Sequence, residues 1–244
     1  MVNIPIYISL IFILTILATL GLFYWVLKTS VTTSTQNIAL KVAIGLLFWL
    51  IIQSALSLLN VYNTNIDAMP PKIILFGVIP NILIIISLFI TNKGRSFIDS
   101  LSPKKMMYIH LVRIPVELLL FSLFNYNAVP KQMTFEGLNF DIFAGVTCLV
   151  FIYFEYKNFK LNNSILLIWN ILCLALLLNI IVIAVLSAPS PIQQIAFEQP
   201  NIAILYFPFC LLPIFTVPIV LFSHLVSIRQ LTKYKRLEKH VINH

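Results

Sequence analysis

The amino-acid sequence predicts an all-α membrane protein, a seven-transmembrane-helix bundle with the N-terminus outside and the C-terminus cytoplasmic. Three observations carry that expectation. Of 244 residues, 60% are hydrophobic and only 10% are charged, where ordinary soluble domains carry about a quarter. Seven apolar runs separate cleanly at polar punctuation. The basic residues crowd into alternate connections. A spanning helix uses roughly 20 apolar residues, so the hydrophobic content suffices for about seven helices and leaves little for a soluble domain. A soluble globular protein, a disordered chain and a disulfide-rich secreted module are excluded on these grounds.

The runs fall at residues 4–27, 42–60, 73–91, 106–125, 138–156, 163–187 and 201–227. In a bilayer core every backbone N–H and C=O must bond within the chain, which allows helices or a closed barrel. Barrel strands alternate apolar and polar residues. Stretches such as ILIIISLFI (82–90) and ILLIWNILCLALLLNIIVIAVL (165–186) do not alternate, so helices are expected. Ahead of the first run there is no basic segment, and no small-x-small cleavage site follows it. It reads as a retained helix rather than a signal peptide.

Orientation follows from lysine and arginine. Lys28 and Lys41 follow the first run; Lys93, Arg95, Lys104 and Lys105 follow the third; Lys157 and Lys160 follow the fifth. The tail adds Arg229, Lys233, Lys235, Arg236 and Lys239, which makes thirteen of the sixteen basic residues on one side. Only Lys72 and Lys131 fall on the other, and Arg113 lies within the fourth run. The positive-inside rule places the crowded side in the cytoplasm. The net charge of +8 is thereby topological and calls for no nucleic acid. Residues 1–227 read as one transmembrane domain. Residues 228–244 read as a basic amphipathic tail: Ile228, Leu231, Tyr234, Leu237 and Val241 share a face, suited to anionic inner-leaflet lipid.

Polar residues inside the runs are the candidates for function. Gln53, Asn60, Tyr62 and Asn81 in or beside the second and third runs are expected to bond helix to helix. The fourth run, MMYIHLVRIPVELLLFSLF, concentrates the ionisable groups. At about 100° per residue, His110, Arg113 and Glu117 fall at roughly 0°, 300° and 340°, on one stripe. Intramembrane charges are costly and face the bundle interior. Arg113 and Glu117, at i and i+4, are placed to pair within the helix. Pro115 between them removes the donor to the Leu111 carbonyl. Two uses are open. The stripe lines a polar cavity in which Arg113 holds an anionic group or Glu117 relays protons, or the ion pair only fixes packing.

The fifth run opens with MTFEGLNFD, which places Asp141 within about a turn of the outer surface. There Asn139 or Asp141 caps the helix, or Asp141 guards an outer mouth. Glu155 is expected at the inner interface. Asn170 and Asn179 in the sixth run point to opposite faces. The seventh run holds Pro208, Pro213 and Pro218 and should be irregular, with His224 in its last turns near the cytoplasmic side and His110 at similar depth. Cys148, Cys173 and Cys210 lie within runs and read as small apolar residues, not a disulfide framework. No metal site is expected.

Several chemistries lack their residues. HExxH, GxSxG, Walker A and dinucleotide motifs are absent from the sequence. Zinc-dependent seven-helix hydrolases need more histidines than the two outside the tail. A covalent retinal needs a Schiff-base lysine in the seventh helix, and residues 201–227 contain none, so no cofactor is expected.

At RIPVELLLFSLF (113–124), MTFEGLNFDIFAGVT (133–147) and LLPIFTVPIVLFSHLVSIRQL (211–231) the sequence resembles uncharacterised seven-helix integral membrane proteins of Bacteroidota-type bacteria. The resemblance implies a multi-pass protein of the bacterial inner membrane and carries no activity or site residues. The functional expectation is a non-enzymatic protein binding a small molecule in a polar intramembrane pocket, as transporter or sensor. His110, Arg113, Glu117 and Asp141 form its candidate site, with Asn170 and His224 secondary. The alternatives are a membrane scaffold or assembly subunit with structural buried charges, and a lipid-modifying membrane enzyme.

Overall fold

The computed structural model describes residues 4–159 and 161–242, with side chains in the last helix described to Tyr234. Among the described residues there are helices and turns and no strand. In chain order come α1 (Ile6–Lys28), α2 (Thr33–Leu58), a π-turn (Ile74–Val78) leading into α3 (Ile79–Ile90), and α4 (Asn92–Asp99). Next are α5 (Pro103–Met107), a 3₁₀ turn (Tyr108–Val112) and α6 (Arg113–Asn125), which run on as one rod. They are followed by α7 (Asp141–Tyr156), α8 (Asn163–Ser187), a second π-turn (Leu212–Thr216) and α9 (Val217–Ile242).

Five of these segments are long and apolar enough to cross a bilayer: α1, α2, Pro103–Asn125, α8 and Leu212–Tyr234. The α3–α4 pair, bent by 89°, raises that number to six if it counts as one crossing. With 16 residues α7 is shorter. The bundle has an inside and an outside. In Leu212–Tyr234 and Pro103–Asn125, 61% and 56% of the apolar window is buried, against 17% for α2. These two rods are therefore the centre, and α2 packs on α1 at the edge. Its outer face shows Leu40, Ile44, Phe48 and Ile51, an apolar surface suited to lipid.

Two prolines explain both π-turns. A proline has no N–H for the carbonyl four residues earlier. Pro80 leaves the Phe76 carbonyl, and Gln53 Nε2 donates to it at 3.2 Å. Pro218 leaves the Ile214 carbonyl, and Asn81 Nδ2 donates to it at 2.8 Å while also reaching the Gly77 carbonyl. The expected helix-to-helix role of Gln53 and Asn81 is thus met at sites that proline opened. Gly77 lets the two irregular segments touch, because a Cβ there would meet the Ile214 side chain at 2.6 Å.

One end of the bundle gathers the basic residues. Lys105 reaches the Thr29 carbonyl. α4 lies across this end, and its Asp99 takes Arg229 Nε at 3.1 Å and Lys233 Nζ at 3.2 Å. Burial raises the Asp99 carboxyl, but the hydrogen bonds and charges of Arg229 and Lys233 outweigh it and hold it below the ordinary value. Leu231 is buried and Gln230 bonds the carbonyls of Ile98 and Leu101. The predicted boundary at 227 is therefore corrected: residues 228–234 are part of α9 and of the packed bundle, because α4 turns across to meet them. The lipid-binding expectation for Lys235, Arg236 and Lys239 falls on side chains outside the described residues.

Candidate functional site

Where α6 begins, four helices place polar side chains together. Arg113 is buried and donates from Nε to Asp141 Oδ2 at 3.0 Å and from Nη2 to Asp141 Oδ1 at 2.7 Å. The pairing is side-on and bidentate, the strong geometry for guanidinium and carboxylate. Nη2 also donates to the Cys173 carbonyl of α8 at 3.2 Å, and Nη1 meets His224 Nε2 of α9 at 3.2 Å.

The network fixes the tautomer of His224. Arginine only donates, so His224 Nε2 must accept. The proton then sits on Nδ1, which donates to Asn170 Oδ1 at 3.0 Å, and Asn170 Nδ2 returns to the Leu166 carbonyl. Beneath His224 the His110 ring is stacked, with centroids 4.0 Å apart and planes 25° apart. Trp169 closes the stack edge-on at 5.3 Å from His110. Ser223 Oγ gives its proton to the Met106 carbonyl, so His110 Nε2 donates to Ser223 Oγ at 2.9 Å. His110 Nδ1 is then a buried acceptor with no partner among the described residues.

Three sequence expectations are corrected here. Arg113 does not pair with Glu117 in its own helix. An acid placed after its base along a helix is the poorer i, i+4 orientation, and Asp141 of α7 offers both oxygens. Asp141 is buried in the bundle rather than hydrated at an outer mouth. It lies one turn before Gly145, which packs on Arg113 and Ile114, and it is buried with Arg113 and Glu117. The chain between the two helices dips into the bundle, and Met133, Thr134 and Asn139 on it are buried. Gly137 permits the dip, since a Cβ there would collide with the Lys131 carbonyl. His224, finally, sits mid-way along Leu212–Tyr234 rather than in the last turns. Asn179 stays apart, bonded to the Leu138 carbonyl.

Glu117 has a different neighbourhood. Both its oxygens accept from one atom, Asn139 Nδ2, at 2.8 and 2.7 Å. No basic side chain pairs with it among the described residues. Asn139, one residue before the Phe140 N-cap, also accepts the Asp141 N–H on Oδ1 and donates to the Met133 carbonyl. Sequence reasoning named Asn139 only as a cap; its hold on Glu117 had no signal in spacing.

Glu117 and Asp141 edge a cavity of about 280 Å³ between α1, α3, α6, α8 and α9. Phe12, Leu177, Ile180, Ala184, Phe209 and Leu221 are among its apolar walls. Its polar lining residues are Glu117, Asp141 and Asn201, and no basic residue lines it. A second cavity, about 690 Å³, shares Ala203 and Phe209 with it and opens among Asn63, Pro189 and Tyr206 of the connecting segments.

A domain of unknown function, DUF8737, matches residues 70–232. The chain belongs to the DUF8737 family. The DUF8737 stretch takes in His110, Arg113, Glu117, Asn139, Asp141, Asn170 and His224, and leaves α1 and α2 before it. The family's own segment therefore carries the whole polar network, while α1 adds Phe12 to the cavity wall. No curated protein and no solved structure matches the chain.

Proposed function

We propose that this DUF8737 protein binds a small molecule within the membrane, as a transporter or sensor, in the cavity edged by Glu117. The observation that carries this reading is the cavity itself: an apolar space of about 280 Å³ whose wall includes a buried carboxyl without a basic partner among the described residues. Default ligand sites are apolar concavities with a few convergent polar groups. The site sits beside both π-turns, and Pro213, Val217 and Pro218 help to line it; such irregular turns recur at functional sites. Arg113, His224 and Asn170 lie behind Asp141 and do not line this cavity. Their hydrogen bonds are spent on one another, which argues against the anionic ligand expected at Arg113.

In this reading the chain crosses the bacterial inner membrane seven times, with the basic end cytoplasmic. The short α7 completes a crossing because the dipping chain from 126 to 140 covers the remaining depth. Irregular backbone is tolerated there because protein surrounds it. A scaffold role would need no cavity.

Native mass spectrometry of protein taken from its own membranes tests the function. The parent should carry a bound small molecule that Ala184→Phe, which fills the cavity, lacks. An equal adduct on both proteins would count against the cavity. Topology is tested by Glu198→Cys, expected to label from outside only; labelling from the cytoplasm reverses the orientation.

A further inference from the structure

A wall that holds two carboxyls and no base selects for a particular head group. Of the 26 residues lining the 280 Å³ cavity, Glu117, Asp141 and Asn201 alone bear strongly polar side-chain groups. Asp141 is saturated by Arg113. Asn201 Nδ2 reaches the Ala184 carbonyl. Glu117 is different: a carboxylate offers about four lone-pair directions, and a single donor atom, Asn139 Nδ2, serves both oxygens. It is 2% exposed, so bulk water does not serve the rest. An acceptor left open in an apolar space costs roughly 1–3 kcal/mol, and a wholly apolar occupant would leave that cost in place. An anionic occupant would add like charge. A neutral alcohol would satisfy one lone pair with one proton. An amine brings two or three N–H donors and the complementary charge.

We infer that the cavity takes a small apolar molecule ending in an amine, whose N–H groups bond the open side of Glu117. This rests on the cavity being a ligand site and names the class of ligand. With the proton on nitrogen an N–H donates to a Glu117 carboxylate oxygen; with it on oxygen the Glu117 O–H donates to the amine nitrogen, and the same nitrogen and oxygen face each other in both cases. The chain of the ligand would lie along Leu177, Ile180 and Leu221, with Asn139 holding Glu117 in place from behind. The larger cavity lies on the other side of Ala203 and Phe209, among the connecting segments.

The test uses the full chain in lipid nanodiscs and three probes of one length: hexylamine, 1-hexanol and hexanoate. Thermal stabilisation is titrated for the parent, Glu117→Gln and Ala184→Phe; the last, with its cavity filled, reports partition into the lipid alone. Hexylamine should act at about a tenfold lower concentration than hexanol on the parent, and hexanoate should match the filled-cavity control. In Glu117→Gln, an isostere that keeps its amide oxygen toward Asn139, the preference for amine should vanish while hexanol still acts. Equal action of amine and alcohol on the parent overturns the amine inference and leaves the cavity standing. Amine preference that survives in Glu117→Gln also overturns it. If none of the probes exceeds the Ala184→Phe control, the cavity itself is not a ligand site and both readings fall.

Discussion

Asp141 and Glu117 edge the same cavity, are both buried, and live in opposite surroundings. Asp141 has a bidentate arginine at 2.7 and 3.0 Å and a helix N-terminus behind it. Glu117 has one amide nitrogen. The first is an ion pair closed on itself, extended by His224, Asn170 and the stacked His110. The second is a carboxyl at the cavity wall whose two oxygens share one donor atom. A buried charge is costly until it is paired; the fold answers that cost at Asp141 with an arginine and at Glu117 with a single amide nitrogen. The two carboxyls are thus told apart by their partners, since burial alone is the same for both.

The comparison breaks hardest at Asp141. Asp141→Leu strands Arg113 in the core, and removing one partner of a buried pair costs about 3–5 kcal/mol. Thermal unfolding in nanodiscs should show a severe loss, and little folded protein is expected. Arg113→Leu with Asp141→Leu should recover most of it, because no charge is then stranded. If the double variant is as unstable as Asp141→Leu, the pair is not closed on itself, and His224 and Asn170 depend on Arg113 for their own positions.

Much of this contrast was hidden from the sequence, for identifiable reasons. Apolar runs locate helices well, since each predicted run overlaps one. The stripe of His110, Arg113 and Glu117 does face the bundle, and all three are buried. What the sequence did not show was burial outside that stripe. Asn139 and Asp141 end a polar stretch, and polar stretches read as surface; nothing local says that this one dips inside. The Arg113–Asp141 pair joins residues 28 apart on different helices, whereas helical spacing reports only on neighbours within one helix. His224 was misplaced because the charged residues from Arg229 onward look like a tail. α4 turns by 89° to meet them and keeps the helix packed for two more turns. Asp99, with no pattern around it, gave no warning of that contact.

An intermediate effect separates Glu117 from its support. Asn139→Leu removes the one donor to Glu117 and the acceptor for the Asp141 N–H. A buried acceptor left without its donor costs about 1–3 kcal/mol. Glu117→Gln should cost less, within about 1 kcal/mol, because its amide oxygen still accepts from Asn139 and no charge remains. Unfolding of the two variants in parallel checks the order. A Glu117→Gln protein less stable than Asn139→Leu would mean that Glu117 is a structural group like Asp141, and the distinction between them would be lost.

The smallest effect is expected at a third carboxyl, Asp99, which sharpens the comparison by exposure. Like Asp141 it is paired with an arginine, yet its side chain is 29% exposed and that of Arg229 33%. Solvent screens such pairs to about 0–1 kcal/mol. Arg229 and Lys233 hold the folded carboxyl below its ordinary value of 3.8. A depressed folded value means that the unfolded chain binds the proton first as pH falls. The contribution is therefore present above about pH 4 and is lost as pH drops through the folded value. Parent and Asp99→Asn should differ slightly in unfolding temperature at pH 7 and converge at pH 3, and the difference at pH 7 should shrink in molar salt. A difference as large as that of Asp141→Leu would show that exposure does not set the strength of these pairs. The contrast between the closed pair in the core and the screened pair at the basic end would then have to be replaced by one based on geometry alone.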